Sequence, residues 1–273
     1  MSSFAGAVIF PEQKKTILFK NRDMTSIGHK DELFYDVDCF GVRGVDAVTG
    51  AVGGLAIGVN HYGLAIANTH VRNTDDPSYH LLTEQLLMFA KDAEDGLSMV
   101  QDHLNSDRKY QYGNLVLADD DSMLVIELAG SEHSIEWSER KVLRTSHHIM
   151  LDTEEVLRRD STVAFNHSVQ RVERGYELIR QVKSISGVFE LLKDHGGAPG
   201  QNSLCKHSIG GKEPETVASY VVEVDRSGGS SKPRIQFHVA KGKPCETSYL
   251  SIPIVFPADD EVIEKAFQFY NAE

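Results

Sequence analysis

The chain reads as an α+β protein in which two antiparallel sheets carry helices on their outer faces. Three observations lead there. Strand-forming runs come first and last with helical stretches between them; strict βαβ alternation is scarce; and several neighbouring strand runs are joined by short turn chemistry rather than by a crossover helix.

The elements follow in order. Residues 3–10 and 16–20 are strand-like runs joined by the polar PEQKK, an opening hairpin that belongs in one sheet. Further strands are expected at 33–40, 54–59 and 63–68. Between the last two, Asn60 reads as a turn residue and Gly63 as a residue able to take positive φ. Leu81, Leu82, Gln85, Leu86 and Phe89 open an amphipathic helical stretch that runs to about residue 104, relieved at Asp95-Gly96. Residues 115–117 and 124–128 flank the acidic turn DDDS as a second hairpin, and 133–137 and 142–145 continue that series. A long helix is expected over 163–182. Ser184 or Ser186 caps a shorter one that ends at His195-Gly196-Gly197. Strands return at 218–224, 235–240 and 249–254, with the RSGGSSKP stretch as a hairpin loop. A last helix starts near Asp259 or Asp260.

The 273 residues, 41% hydrophobic and 25% charged, are enough for one sizeable core, and the chain is read as a single domain over 1–273. A formal net charge of -12 argues against a nucleic-acid partner, because neutralising phosphates needs clustered Lys and Arg. MSSFAGAVIF lacks the basic start of a secretory signal, and no apolar run approaches a membrane span, so no membrane partner is expected. Three widely spaced cysteines, Cys39, Cys205 and Cys245, fit reduced thiols and a cytoplasmic setting. Oligomeric state is open, and a homo-oligomer is compatible with the sequence.

Several chemistries find no support. There is no HExxH or CxxC, and His147-His148 would point to opposite faces of an extended strand. Cys205-Lys206-His207 offers two ligands on one strand face, which is too few, so no metal is expected. GVRGVDAVTG lacks the spacing of a phosphate-binding fingerprint and no GKS or GKT follows it, so no nucleotide site is expected either. The absence of GxSxG counts against the α/β-hydrolase class.

Two segments point instead to attack on an amide bond. FKNRD (residues 19–23) and GVNHYGLAIANTH (58–70) each set small polar groups where a strand run ends. Sheet ends of this kind present amide and ammonium donors to a reacting carbonyl. Read alone, Lys20 and Asp23 also fit an ion pair at a hairpin end, and Asn68 also fits a turn cap.

The order of short motifs goes further. SSFA, KNRD, GVNHYGLAIAN, GNLVLADD, TSHH, SVQRVERGYELI, DHGGAPGQNSLCKH, TVASYVVEVD and AKGKPC follow one another along nearly the whole chain. This series resembles the acyl-CoA:6-aminopenicillanic acid acyltransferase family of N-terminal-nucleophile hydrolases, and is similar to the choloylglycine hydrolase and dipeptidase/secernin families. The resemblance implies a four-layer αββα sandwich and an enzyme that hydrolyses or transfers an acyl group at a linear, non-peptide or dipeptide-like amide of a small molecule, without a cofactor. It implies that Asp23 orients the free α-amine of the first residue and that Lys20 supports the nucleophile. It further implies that Asn68 is an oxyanion donor and that Ser146 stands at a site amide. Arg171 and Arg174 of an S-x-x-R-x-x-R helix could bind a substrate carboxylate, although surface salt bridging is an equal reading. Cys205 and Cys245 fall in C-x-H and G-x-P-C motifs and are read as structural, and Cys39 as a core residue.

Two departures bear on mechanism. The family's mature chain begins with cysteine; here Met1 or, with removal of Met1, Ser2 takes that place. The family's T-N-H triplet reads Thr145-Ser146-His147. Ser2, with its own amine as base, is a competent nucleophile. A catalytically inactive or altered relative acting in binding or structure is the alternative.

Overall fold

The computed structural model describes residues 2–25, 31–208, 210–229 and 232–271, with only the backbone of Ser2. Met1, the Ser2 side chain and residues 230–231 of the Gly/Ser loop lie outside the described residues. Two antiparallel sheets form the middle of the molecule. The six-stranded sheet contains β1 (Ser2–Phe10), β2 (Lys15–Met24), β10 (Lys141–Arg144), β11 (Glu215–Asp225), β12 (Arg234–Ala240) and β13 (Leu250–Ile254), in the order β10-β1-β2-β11-β12-β13. The seven-stranded sheet follows chain order: β3 (Leu33–Tyr35), β4 (Cys39–Val45), β5 (Val52–Asn60), β6 (Ala65–Arg72), β7 (Tyr110–Ala118), β8 (Met123–Gly130) and β9 (Glu132–Ser138).

Strand alternation sorts the side chains into layers. Ala5, Ala7, Leu18, Val116, Tyr220 and Phe237 meet between the sheets. On the other face of the six-stranded sheet, Phe4, Val8, Ile17 and Phe19 pack beneath α3 (Glu154–Ile179) and α4 (Ile185–Lys193). Leu55, Ile66, Leu115 and Leu117 pack beneath α1 (Tyr79–Phe89) and α2 (Ala93–Asn105). Each large side chain buried in this way contributes about 1.5–3 kcal/mol. The result is the expected four-layer αββα sandwich, with α5 (Asp260–Asn271) placing Ala266 and Tyr270 at the edge of the inter-sheet core. Among the described residues no helix is long and apolar enough to cross a membrane.

The hairpin expected at Asn60 and Gly63 is present. The Asn60 carboxamide oxygen accepts from Tyr62 and Leu64 N–H at 3.1 Å, and Gly63 has φ +87°, which a side chain would strain. Three expected elements differ. The run 33–40 breaks into β3 and β4, because Asp36 turns the chain by accepting from the N–H groups of Asp38 and Cys39. The helical stretch divides before Asp92, which caps α2 by accepting from Asp95 N–H at 2.8 Å; Gly96 lies inside the helix, packed against Leu117. Helix α3 begins at Glu154, earlier than expected, and is interrupted at Ser161 (φ -165°, ψ 104°). The Ser161 hydroxyl accepts from Ala164 N–H there, so the expected start near 163 marks a real restart of the helix. Ser184 caps α4, and that helix ends at Lys193, ahead of His195.

Candidate active site

The start of β1 lies in a ring of polar side chains brought from four other segments. In the antiparallel register Ser2 is opposite Asp23 and Ser3 opposite Arg22. Strand β10 pairs with the far side of β1, so residues 145–147, which follow it, run beside Ser3. The Ser3 N–H donates to Ser146 Oγ at 3.3 Å, and the Ser3 hydroxyl accepts from His70 N–H at 3.2 Å.

Helix α3 holds this arrangement with two residues on one face, three apart. The Ser168 hydroxyl accepts from Ser146 N–H at 2.9 Å, donates to Thr145 Oγ1 at 2.9 Å and meets His147 Nδ1 at 2.8 Å. Arg171 Nη1 donates to Asp23 Oδ2 at 3.2 Å, and Nη2 to Ser146 Oγ at 3.3 Å. Thr216 of β11 donates to the other Asp23 oxygen at 2.8 Å, and itself accepts from Lys206 N–H at 2.9 Å. Asp23 and Arg171 are 1% exposed each, so this ion pair is out of water. Burial pulls the Arg171 guanidinium below its ordinary value, and Asp23 opposes that only in part. Lys206 is pulled down to about 7 by burial and by Arg171.

A cavity of about 340 Å³ opens on this cluster, lined by Ser146, Arg171, Lys206, Gln201, Phe165 and Val71 among others. Its outer wall comes from the interrupted part of α3, including Asp160 and Ser161. A larger groove of about 1340 Å³ lies at the opposite strand ends, against Asp120, Trp137 and Arg226, and holds none of the candidate site residues Lys20, Asp23, Asn68, Ser146, Arg171 and Arg174.

The expected convergence of Lys20, Asp23 and Asn68 on the first residues is only partly present. Asp23 is there. Lys20, three residues earlier, points to the other face of the sheet, where its ammonium binds the backbone oxygen of Asn68. Burial and then Arg22 bring Lys20 down to about 7. The Asn68 amide turns to the helix-covered face of the other sheet, donating to Leu55 O at 2.8 Å and Thr83 Oγ1 at 2.9 Å. It belongs to the α1 contact and does not line the cavity. Arg171 sits at the cavity, whereas Arg174 ties α3 to Asp194 with contacts of 2.8 and 3.1 Å. Thr216 and Lys206 were given no site role from sequence, although both fall inside the quoted motifs, and Ser168 was marked only as the first residue of the S-x-x-R-x-x-R helix. In sequence Cys205 and His207 offered only two ligands, one reason that no metal was expected, but the fold brings His195 and Cys245 to them, all four ligand atoms lying within 4.8 Å of one another.

With this geometry in hand, the family profile described as acyl-coenzyme A:6-aminopenicillanic acid acyl-transferase matches residues 10–225, most of the chain. The protein belongs to that family. Solved structures agree on the fold. A mutant of the conjugated bile acid hydrolase from Clostridium perfringens is 8% identical, with TM-score 0.54 over 92% of each chain. Penicillin V acylase from Agrobacterium tumefaciens is 11% identical, with TM-score 0.52 over 93% of this chain and 86% of its own. The Caenorhabditis elegans ortholog of N-acylethanolamine-hydrolyzing acid amidase is 10% identical, with TM-score 0.50 over 80% and 91%. No curated protein matches the chain in sequence.

Proposed function

We propose that the protein hydrolyses or transfers the acyl group of a small linear amide through Ser2, freed by removal of Met1, with residues 1–273 working as one domain. In this reading the Ser2 hydroxyl attacks the carbonyl carbon and passes its proton to the Ser2 α-amine. That amine then protonates the leaving nitrogen, and water or an acceptor amine releases the acyl group from the ester. Asp23 orients the α-amine. The Ser146 hydroxyl, beside Arg171, replaces the amide that Asn68 was expected to bring to the developing oxyanion, and Lys20 contributes its charge from the inter-sheet face. Arg171 and Lys206 favour a substrate with an anionic group, and a cavity of about 340 Å³ suits a small molecule. Free thiols accord with a cytoplasmic setting.

The observation that carries this reading is the register pairing of Ser2 with Asp23, a buried carboxylate braced by Arg171 and Thr216 at a cavity. The family's thiol is missing, and the Asn68 amide is engaged elsewhere, which favours a non-catalytic relative as the second reading. N-terminal sequencing and intact mass, followed by incubation with acyl-amino acids, dipeptides and acyl-CoA plus amines, separate the two. A free Ser2 amine with turnover supports the enzyme. A retained Met1 with no turnover supports the binding protein.

A further inference from the structure

Three segments meet at a point no part of the acyl chemistry uses. His195 follows α4, Cys205 and His207 flank Lys206 in the loop before β11, and Cys245 lies in the turn after β12. Cys205 Sγ is 3.4 Å from Cys245 Sγ, and His207 Nε2 is 3.3 Å from Cys245 Sγ. His195 Nε2 is 3.1 Å from His207 Nε2, and Cys205 Sγ is 3.9 Å from the same nitrogen.

These separations have a simple geometric meaning. A tetrahedral zinc with bonds of about 2.3 Å to sulfur and about 2.0–2.1 Å to nitrogen needs ligand-to-ligand edges of about 3.3–3.8 Å. The four measured edges scatter around that range. A disulfide would need the sulfurs at about 2.0 Å, so the Cys205–Cys245 contact is not one. We propose that His195, Cys205, His207 and Cys245 bind one zinc ion in a closed, structural Cys₂His₂ site.

The chemistry of the donors suits that ion. Two thiolates and two neutral imidazoles balance a dipositive charge, and soft sulfur with imidazole in tetrahedral array selects zinc over magnesium or calcium. The surroundings already hold the ligands in place. The His207 Nδ1 faces Glu246 Oε1 at 3.9 Å, a carboxylate on the outer nitrogen of a ligating imidazole. Cys205 N–H donates to Asp194 O at 3.1 Å, and Lys243 O accepts from Glu246 and Thr247 N–H at 2.9 Å, closing the turn around Cys245.

All four positions come from protein, which leaves no open site for a water nucleophile and makes the role one of support. What the ion would support is specific. Lys206 stands between two ligands, lines the cavity, and joins through its N–H to Thr216 and so to Asp23. The ion would pin the loop forming that wall to the ends of α4 and β12. The site stands whether or not the acyl reading does.

The test uses full-length protein purified under reducing conditions without chelator and measured by elemental analysis. About one zinc per chain is expected, falling below about a fifth in Cys205→Ser and Cys245→Ser, with a lowered Tm in both. Should those variants fail to fold, cobalt(II) titration of demetallated wild type decides. Tetrahedral d–d bands with a thiolate-to-cobalt charge-transfer band, bleached by added zinc, support the site. Wild type that carries no metal and gives no such bands overturns it, as does a Cys205–Cys245 disulfide in the reduced, purified protein.

Discussion

Two arginines are buried to nearly the same degree, Arg144 at 0% and Arg171 at 1% exposure, and each faces a carboxylate, yet their surroundings differ in kind. Arg144 donates to Glu127 at 2.9 Å, to Glu136 and to Leu143 O, while Glu127 also accepts from the N–H groups of Ile149, Met150 and Leu151 at 2.8–2.9 Å. Burial pushes the Glu127 carboxyl up, but those three N–H groups and Arg144 hold it below its ordinary range, and the two glutamates hold Arg144 above its own. At Arg171 the balance is reversed: burial outweighs Asp23, and the guanidinium is lowered. The first group is a brace between β8, β10 and the start of the 149–151 turn. The second keeps a partly compensated charge next to a cavity, an arrangement concentrated at sites of chemistry.

The contrast can be broken most sharply at Ser2. Ser2→Ala should lower turnover by roughly 10⁴- to 10⁶-fold, the scale seen when a covalent nucleophile is removed. Its unfolding free energy should stay within about 0.5 kcal/mol of wild type in urea titrations. Equal turnover by the two proteins would remove Ser2 from the mechanism.

Next in size are the carboxylates. Asp23→Ala and Glu127→Ala should each cost about 3–5 kcal/mol, since each takes a carboxylate from a buried arginine and Glu127→Ala also removes the acceptor of three backbone N–H groups. The paired replacements then separate the two sites. Asp23→Leu with Arg171→Met should regain most of the stability without regaining turnover. Glu127→Leu with Arg144→Met should stay unstable, because three backbone N–H groups lose their acceptor at about 1–3 kcal/mol each. Denaturant midpoints of the two double variants give the answer, and equal recovery in both would erase the distinction.

Ser146→Ala should act mainly on rate, lowering kcat by about 10²-fold as for loss of one oxyanion donor, with about 1 kcal/mol lost in stability. A rise in KM at unchanged kcat would instead assign Ser146 to substrate binding.

A pH slope is expected as well. Lys20 and Lys206 each have a folded pKa of about 7 against the ordinary 10.5. Between those values the unfolded chain binds more protons, so stability is fullest above 10.5 and is lost as pH falls towards about 7. Urea midpoints should therefore rise from about pH 7 to about pH 9.5, and Lys20→Met should flatten part of that slope. Arg144 gives no such slope, since it stays charged throughout. A wild-type midpoint that does not rise across this range would mean that neither lysine is held near neutrality.

Much of this architecture was legible along the chain because its causes are local. The short, almost wholly buried strand run at 3–10, Gly63 at positive φ, and Ser184 as a cap each depend on a few neighbouring residues. The helix break was misplaced because Asp92 competed successfully with Gly96. A side-chain cap satisfies an otherwise unpaired N–H, whereas one glycine inside a helix costs about 1 kcal/mol and was tolerated where Leu117 needed the space. In the candidate site, motif order marked Asp23, Ser146 and Arg171 before any geometry was known, and all three meet.

By itself the sequence determined the α+β class, the strand and helix order, and the kind of residues available at the start of β1. Those are properties of periodicity, caps and turns, which act within a few residues. Only the tertiary structure decided which of them share a cavity. Lys20 and Asp23 are three apart on a strand, so pleating sends them to opposite faces, and Asn68 takes the parity of Ile66 and turns toward α1. Arg171 reaches Asp23 across 148 positions, and Cys245 reaches Cys205 across 40. Separations of that length are closed by packing of the layers, whose free energy is spread over the whole core and leaves no local mark in the chain.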